Sequence, residues 1–117
     1  MKKIFVADDN DGILDMLRVV LEAEGFEVIV SEEPEDIFAW PAELPDLIIL
    51  DIWMSGVDGR DICKQLKNGP RTKKVPVLLM SANNEVEQMA NDAGADGFIA
   101  KPFEISDFLE KCVALIG

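Results

Sequence analysis

The apolar run 47–50 ends directly on Asp51, and a carboxylate is costly to bury without a partner. Asp51 is therefore a helix N-cap, an ion-pair partner or a reacting group held at the rim of a sheet. Three further apolar runs also end on chemically active side chains, namely Asp8-Asp9, Ser81 and Lys101. Each of these has an ordinary structural explanation by itself. Acids, a hydroxyl and an amine at four run ends together favour a chemical site.

Clustered carboxylates raise one another's pKa unless a cation lies among them. Hard oxygen ligands in small number, with room for water, favour Mg2+ over zinc. In such a site the metal neutralises a transferring phosphoryl group, Lys101 pairs with one phosphoryl oxygen and Ser81 donates a hydrogen bond to another. Asp51 is central and is placed as a nucleophile, as carboxylates are in aspartyl-phosphate chemistry. The residue types thus predict Mg2+-dependent phosphoryl transfer.

Strands and helices that alternate along the chain must bring these residues together. The apolar spacing predicts strands at 3–7, 26–30, 47–50, 75–80 and 98–100, and helices at 11–24, 34–40, 59–67, 84–93 and 104–116. Five such alternations predict one α/β domain over residues 1–117, a flavodoxin-like, doubly wound, five-stranded parallel sheet in the order 2-1-3-4-5 with five helices on both faces. The carboxyl ends of parallel strands share one edge, which is where ligands bind in such folds.

Composition excludes several classes of function. The formal net charge of −12 argues against nucleic acid or anionic lipid as a direct ligand. Cys63 and Cys112 lie far apart without a CxxC motif, so neither zinc nor a disulfide framework is indicated, and a reducing cytoplasmic compartment fits. No apolar segment is long enough to span a membrane. The chain has no histidine, so any mechanism that needs one must take it from another protein.

The pattern Asp8-Asp9, Asp51, Met54-x-x-x-Asp58-Gly59, Ser81-Ala82 and Lys101-Pro102-Phe103 resembles a response-regulator receiver domain of two-component signalling, like the chemotaxis regulators. The resemblance covers essentially the whole chain. It implies that Asp51 is the phosphoacceptor and that Asp9 and Asp51 bind Mg2+. It also implies that Asp8 acts through water and that the backbone carbonyl of Trp53 completes the metal site. Ser81 and Phe98 match the family's switch residues, Lys101 matches its phosphoryl-binding lysine, and Lys101-Pro102 is the candidate for a cis bond.

The resemblance implies a phosphorylation-dependent signalling switch and not a turnover enzyme. The phosphoryl donor would be a phosphohistidine on a sensor histidine kinase or a histidine phosphotransfer protein. Phosphorylation would change the surface made by the fourth helix, fifth strand and fifth helix, which is also a possible homodimer interface. The downstream target, and whether the domain acts alone or within a longer regulator, stay open.

Two positions depart from the family's pattern. Ser55 stands where the family usually has proline, which is expected to loosen the loop without removing a reacting group. Trp53 is large for a position that borders the phosphoryl group. One hypothesis is that its indole limits attacking water and lengthens the phosphoryl lifetime; the other is that the indole lies outward over the loop.

Three other functions deserve comparison. A dehalogenase-like phosphatase also uses a strand-end aspartate with Mg2+, but it needs a second acid where this chain has Trp53. A flavin carrier would want a phosphate-binding loop after the first strand, where Asp8-Asp9-Asn10-Asp11 would repel phosphate. A receiver used only as a protein-binding platform is disfavoured because every reacting position is filled.

Overall fold

A computed structural model describes residues 1–39, 43–54 and 56–116. The strands are β1 (Lys3–Ala7), β2 (Glu27–Ser31), β3 (Leu47–Asp51), β4 (Trp53–Met54), β5 (Val57–Asp58), β6 (Val77–Ser81) and β7 (Gly97–Ala100). The helices are α1 (Asp11–Ala23), α2 (Gly59–Asn68), α3 (Val86–Ala93) and α4 (Ile105–Ile116), together with a 3₁₀ helix, Pro34–Ala39. Both Trp40, the predicted end of the second helix, and Ser55 lie outside the described residues.

Five parallel strands form the main sheet in the order β2-β1-β3-β6-β7. This confirms the predicted 2-1-3-4-5 order, because β4 and β5 form a separate two-stranded antiparallel hairpin. Sequence patterning did not predict the hairpin, since strands of two residues are too short to show an alternating pattern. The second predicted helix is a single short 3₁₀ segment, which suits its weak apolar periodicity.

Alternate residues of β1, β3 and β6 are buried on opposite faces of the sheet, as the period of two requires, whereas the edge strand β2 is only partly buried. One face packs against α1 and α4, and its buried cluster includes Val6, Ile49 and Phe108. The opposite face packs against α2, α3 and the 3₁₀ helix, and its cluster includes Phe5 and Leu50. Because β3 is buried on both faces throughout, its carboxyl end is a rigid support for whatever follows it.

Gly59 lies where α2 passes closest to the end of β3. Its N–H donates to the Ile52 carbonyl at 2.6 Å. A Cβ placed on Gly59 would lie 2.3 Å from the Asp51 carbonyl oxygen, well inside van der Waals contact. The glycine is therefore required by backbone approach, and it connects the position of Asp51 to the start of α2.

None of the helices within the described ranges is both long and apolar enough to cross a lipid bilayer.

Candidate functional site

Three carboxylates meet at the carboxyl edge of the sheet. Asp8 and Asp9 follow β1 and Asp51 ends β3, and these strands are hydrogen-bonded neighbours. One carboxylate oxygen from each residue lies within 4.8 Å of those of the other two. Asp8 is 1% exposed and Asp51 is 8% exposed, whereas Asp9 is open to solvent. The cluster therefore consists of two buried carboxylates and one carboxylate that solvent can reach.

Lys101 reaches the same cluster from the end of β7. Its ammonium lies 2.9 Å from Asp8 Oδ2 and 2.9 Å from Asp51 Oδ1, so one cation binds two of the three acids. The Lys101 N–H also donates to the Ser81 carbonyl at 2.9 Å, which fixes the strand end that carries the side chain. The Lys101-Pro102 peptide bond is cis, as predicted.

The site's electrostatics follow from burial and from this ion pair. Burial raises the pKa of Asp51 above its ordinary value, the hydrogen bond and charge of Lys101 oppose that rise, and Asp8 and Asp9 add to it. Burial alone would lower the pKa of Lys101, but the hydrogen bonds and charges of Asp51 and Asp8 together outweigh burial and raise it. The Lys101 ammonium therefore stays protonated beside Asp51 and Asp8.

The donor set suits Mg2+. Three carboxylates within 4.8 Å of one another are hard oxygen ligands, and no histidine or cysteine from the described residues belongs to the group. One ammonium against three carboxylates leaves an excess of negative charge that a divalent cation would neutralise. The residues therefore fit the metal that the sequence predicted.

Ser81 ends β6, the next strand across from β3. Asp51 is in register with Met80, so Ser81 lies one residue further along the same edge. Its side chain is buried at 3% exposure, and its hydroxyl oxygen accepts a hydrogen bond from the Asn83 N–H at 3.0 Å. The hydroxyl is thus held locally at the edge where the acids meet.

Phe98 lies in β7 in register with Leu79 and packs half-buried against the α2–α3 side of the core. The Lys111 ammonium, from α4, lies 4.6 Å from the centroid of its ring, a cation–π distance. Sequence reasoning singled out Phe98 but not Lys111, because nothing in the helical pattern of α4 indicates which side chain reaches β7.

Trp53 opens the hairpin and is 56% exposed. The Arg60 guanidinium covers its ring at 5.0 Å from the centroid, and Arg60 in turn binds Asp58. The exposure agrees with an outward indole, and Trp53 also lines a cavity together with Asp9. Its effect on water stays a prediction. The sequence did not indicate Arg60.

The family sequence model described as "Response regulator receiver domain" matches residues 4–113, nearly the whole chain. The chain belongs to the response-regulator receiver domains. Receiver domains are phosphorylation-dependent switches of two-component signalling that interact with sensor histidine kinases. They are signalling switches and not conventional enzymes, and they bind Mg2+ at an acidic pocket. Family membership decides against the hydrolase and the flavin carrier.

Similar proteins agree with this assignment. The phosphate regulon transcriptional regulatory protein PhoB of Rhizobium meliloti is 33% identical over 119 residues, covering 99% of this chain and 52% of PhoB. The chain spans about half the length of PhoB and of similar curated relatives.

Solved structures show the same fold. The chemotaxis response regulator CheY4 of Vibrio cholerae superposes with a TM-score of 0.87 at 26% identity, covering 98% of each chain. The response regulator TrrA of Thermotoga maritima, solved in complex with Mg2+-BeF, superposes with a TM-score of 0.86 at 28% identity, covering 98% of this chain and 99% of TrrA.

Proposed function

We propose that Asp51 is the phosphoacceptor of this receiver domain and that Lys101 holds the transferring group. The observation that carries the proposal is the contact of one ammonium with Asp8 and Asp51, inside a cluster of three carboxylates. A carboxylate at the end of a strand buried on both faces is held in place, which suits a nucleophile that must meet its substrate in one geometry.

The transfer step conserves atoms and charge. A carboxylate oxygen of Asp51 forms a bond to phosphorus while the P–N bond of a partner's phosphohistidine breaks. The imidazole keeps the bonding electron pair and takes a proton from solvent. Lys101 would pair with a phosphoryl oxygen, and its distance of 2.9 Å from the Asp51 carboxylate supports this role.

Asp8, Asp9 and Asp51 would hold Mg2+, with Asp8 acting through water and the backbone carbonyl of Trp53 completing the set. The metal, when bound, would neutralise charge on the phosphoryl oxygens and the carboxylates. The exposure of Asp9 supports this assignment, because Mg2+ retains several waters and needs an open side.

Ser81 and Phe98 would convert the modification into a change of surface. A phosphoryl group on Asp51 attracts the Ser81 hydroxyl inward, and the space that Ser81 leaves is available to the Phe98 ring. Phe98 carries no hydroxyl, so packing alone drives its movement. The surface that responds consists of α3, β7 and α4, which correspond to the predicted fourth helix, fifth strand and fifth helix. It is also the proposed homodimer interface.

The donor would be a cytoplasmic sensor histidine kinase or a histidine phosphotransfer protein, since this chain has no histidine. We propose that it docks on α1 and the acidic edge. A cavity of about 380 Å³ there is lined by Ile13, Met16, Pro102 and Phe103 and reaches Lys101. Apolar side chains beside the reacting groups give a partner helix a place to pack.

The test is incubation of the protein with acetyl phosphate and Mg2+, followed by intact mass. Incubation with beryllofluoride and Mg2+, followed by tryptophan fluorescence, gives a second readout. Wild type should gain one phosphoryl group only when Mg2+ is present. Asp51→Asn should gain none, while Asp15→Asn, an exposed carboxylate of α1, should behave as wild type. Phosphorylation of Asp51→Asn at the wild-type level would show that the acceptor is another residue. No uptake by wild type would favour the protein-binding platform.

A further inference from the structure

One cavity at the carboxyl edge of the sheet combines apolar walls with a single cation. The cavity has a volume of about 380 Å³ and is lined by Ile13, Met16, Ala82, Lys101, Pro102 and Phe103. Within this set Lys101 alone is charged, and its ammonium lies 2.9 Å from both Asp8 and Asp51. The cavity and the acidic cluster therefore share one cation, and the remaining side chains of the cavity are apolar.

Two walls of the cavity are held in place, and a third is adaptable. Phe103 stacks on the buried Phe108, with ring centroids 5.2 Å apart and an interplanar angle of 16°. The Ile13 N–H donates to Asn10 Oδ1 at 3.0 Å, and the Ile13 side chain packs against the core beneath α1 and α4. Met16 is 40% exposed, and its unbranched thioether can adapt to the shape of an apolar ligand.

These walls suit an organic anion that has an apolar tail. Small-molecule sites are mostly apolar with a few placed polar groups, and a volume of about 380 Å³ lies at the lower end of their range. Lys101 is the residue proposed to pair with a phosphoryl oxygen. A donor whose phosphoryl group contacts Lys101 has its leaving group within reach of the apolar side chains. An acyl phosphate with an alkyl chain has this composition.

We propose that the cavity binds the alkyl chain of acyl phosphates, so that propionyl and butyryl phosphate phosphorylate this protein faster than acetyl phosphate does. The inference rests on the proposed function, in which Asp51 is the acceptor. An Asp51 carboxylate oxygen bonds to phosphorus, and the P–O bond to the acyl group breaks. The alkanoate leaves with the electron pair, and no proton is transferred. Chain contacts stabilise the bound donor and the transition state alike, which raises the second-order rate constant.

A homologous series of donors tests the proposal. The protein is incubated with Mg2+ and acetyl, propionyl or butyryl phosphate, and the second-order rate constant of phosphorylation is measured by intact mass. Division by each donor's rate of spontaneous hydrolysis corrects for its intrinsic reactivity. Each added methylene should raise the corrected constant about two- to fourfold, where fourfold corresponds to complete burial, so butyryl phosphate should exceed acetyl phosphate about 4- to 16-fold.

A pair of variants on α1 tests whether the cavity is responsible. Met16→Gln keeps the length of the side chain but makes this wall polar. It should lower the butyryl-to-acetyl ratio about two- to fourfold, the contribution of about one methylene. Val19→Gln is the matched control, because Val19 is an apolar residue of the same helix that is 66% exposed and does not line the cavity. It should leave the ratio at the wild-type value.

Binding without transfer gives an independent readout. The phosphonate analogue of butyryl phosphate, with a methylene group in place of the bridging oxygen, cannot donate its phosphoryl group. In the presence of Mg2+ it should shift the NMR signal of the Met16 methyl group, which is assigned by its loss in Met16→Gln. The corresponding analogue of acetyl phosphate should shift this signal less.

Corrected rate constants that stay level or fall with chain length would overturn the inference. Equal loss of the butyryl-to-acetyl ratio in Met16→Gln and Val19→Gln, or an unshifted Met16 methyl signal, would overturn it too. Each of these results leaves phosphorylation of Asp51 intact and leaves the cavity to the donor protein. Failure of wild type to accept phosphate from any donor would instead refute the proposed function.

Discussion

Replacing Gly59 with alanine tests how tightly α2 supports Asp51, the proposed phosphoacceptor. The added Cβ would lie 2.3 Å from the Asp51 carbonyl oxygen and 3.0 Å from the Ile52 Cα, and both contacts are with backbone. Neither atom moves by rotating a side chain, so β3 and α2 must separate. Overpacking of this kind costs about 1–3 kcal/mol. For a domain of this size that corresponds to a fall in Tm of about 4–15 °C.

The same displacement should also slow phosphorylation. Separation of β3 from α2 moves Asp51 relative to the Lys101 ammonium, which lies 2.9 Å from it in the structure. A shift of about 1 Å in a reacting group costs up to about 100-fold in rate. We expect Gly59→Ala to lower the rate of phosphorylation by acetyl phosphate about 10- to 100-fold, measured well below its Tm.

Gly12→Ala is the matched control. Gly12 also lies in the first turn of a helix beside the acidic edge, but the nearest neighbour of its added Cβ would be a side-chain atom, Asn10 Oδ1, at 3.2 Å. It should keep a Tm within about 2 °C of wild type and a similar phosphorylation rate, because a side chain can yield where backbone cannot. A Gly59→Ala protein with wild-type Tm and rate would refute the argument that close backbone approach sets the position of Asp51.

Three other predictions concern the ammonium, the thiols and the switch aromatic. Lys101→Met should lower the phosphorylation rate about 10- to 100-fold, since a hydrogen bond to a charged group contributes about 1.5–3 kcal/mol; a wild-type rate would exclude the proposed role. Burial raises the pKa of the Cys63 thiol to about 11 and that of Cys112 to about 12. Both thiols should therefore resist iodoacetamide at pH 8 until the chain unfolds, and because unfolded thiols ionise first, stability should fall as pH rises from about 9 towards 11. Rapid alkylation of the native protein would contradict this. Lys111→Met should raise the ratio of inward to outward Phe98 rings about two- to fivefold, because it removes the cation–π contact. NMR of the ring with and without beryllofluoride measures this ratio. An unchanged ratio would show that Lys111 does not hold the ring.

Local sequence patterning was sufficient to predict the main sheet and the edge, at the carboxyl ends of its strands, where the candidate site lies. Alternation of short apolar runs with helical periods is sufficient to predict a parallel sheet, and parallel strands must bring their carboxyl ends together. Asp51 and Lys101 could therefore be assigned to one site from their places at strand ends, although 50 positions separate them. The strand order followed from the fold class and from the family pattern.

Only the tertiary structure decided which side chains meet. Lys101 binds Asp8 as well as Asp51, across 93 residues of sequence, and this depends on the rotamer of a long side chain. Periodicity specifies which face of a helix is buried. It does not specify how that face is rotated against a strand, or which polar side chain at the border of the face reaches a neighbouring strand. The Lys111–Phe98 contact and the backbone approach at Gly59 depend on that packing.

The β4–β5 hairpin shows most clearly what the sequence could not predict. Its two-residue strands carry no period, so the sequence could not indicate that Trp53 and Asp58 pair or that Arg60 covers the indole. The meeting of Asp8, Asp9, Asp51 and Lys101 was predictable because strand ends converge by geometry. The contacts of Arg60, Lys111 and Gly59 were not predictable, because each depends on how neighbouring elements pack.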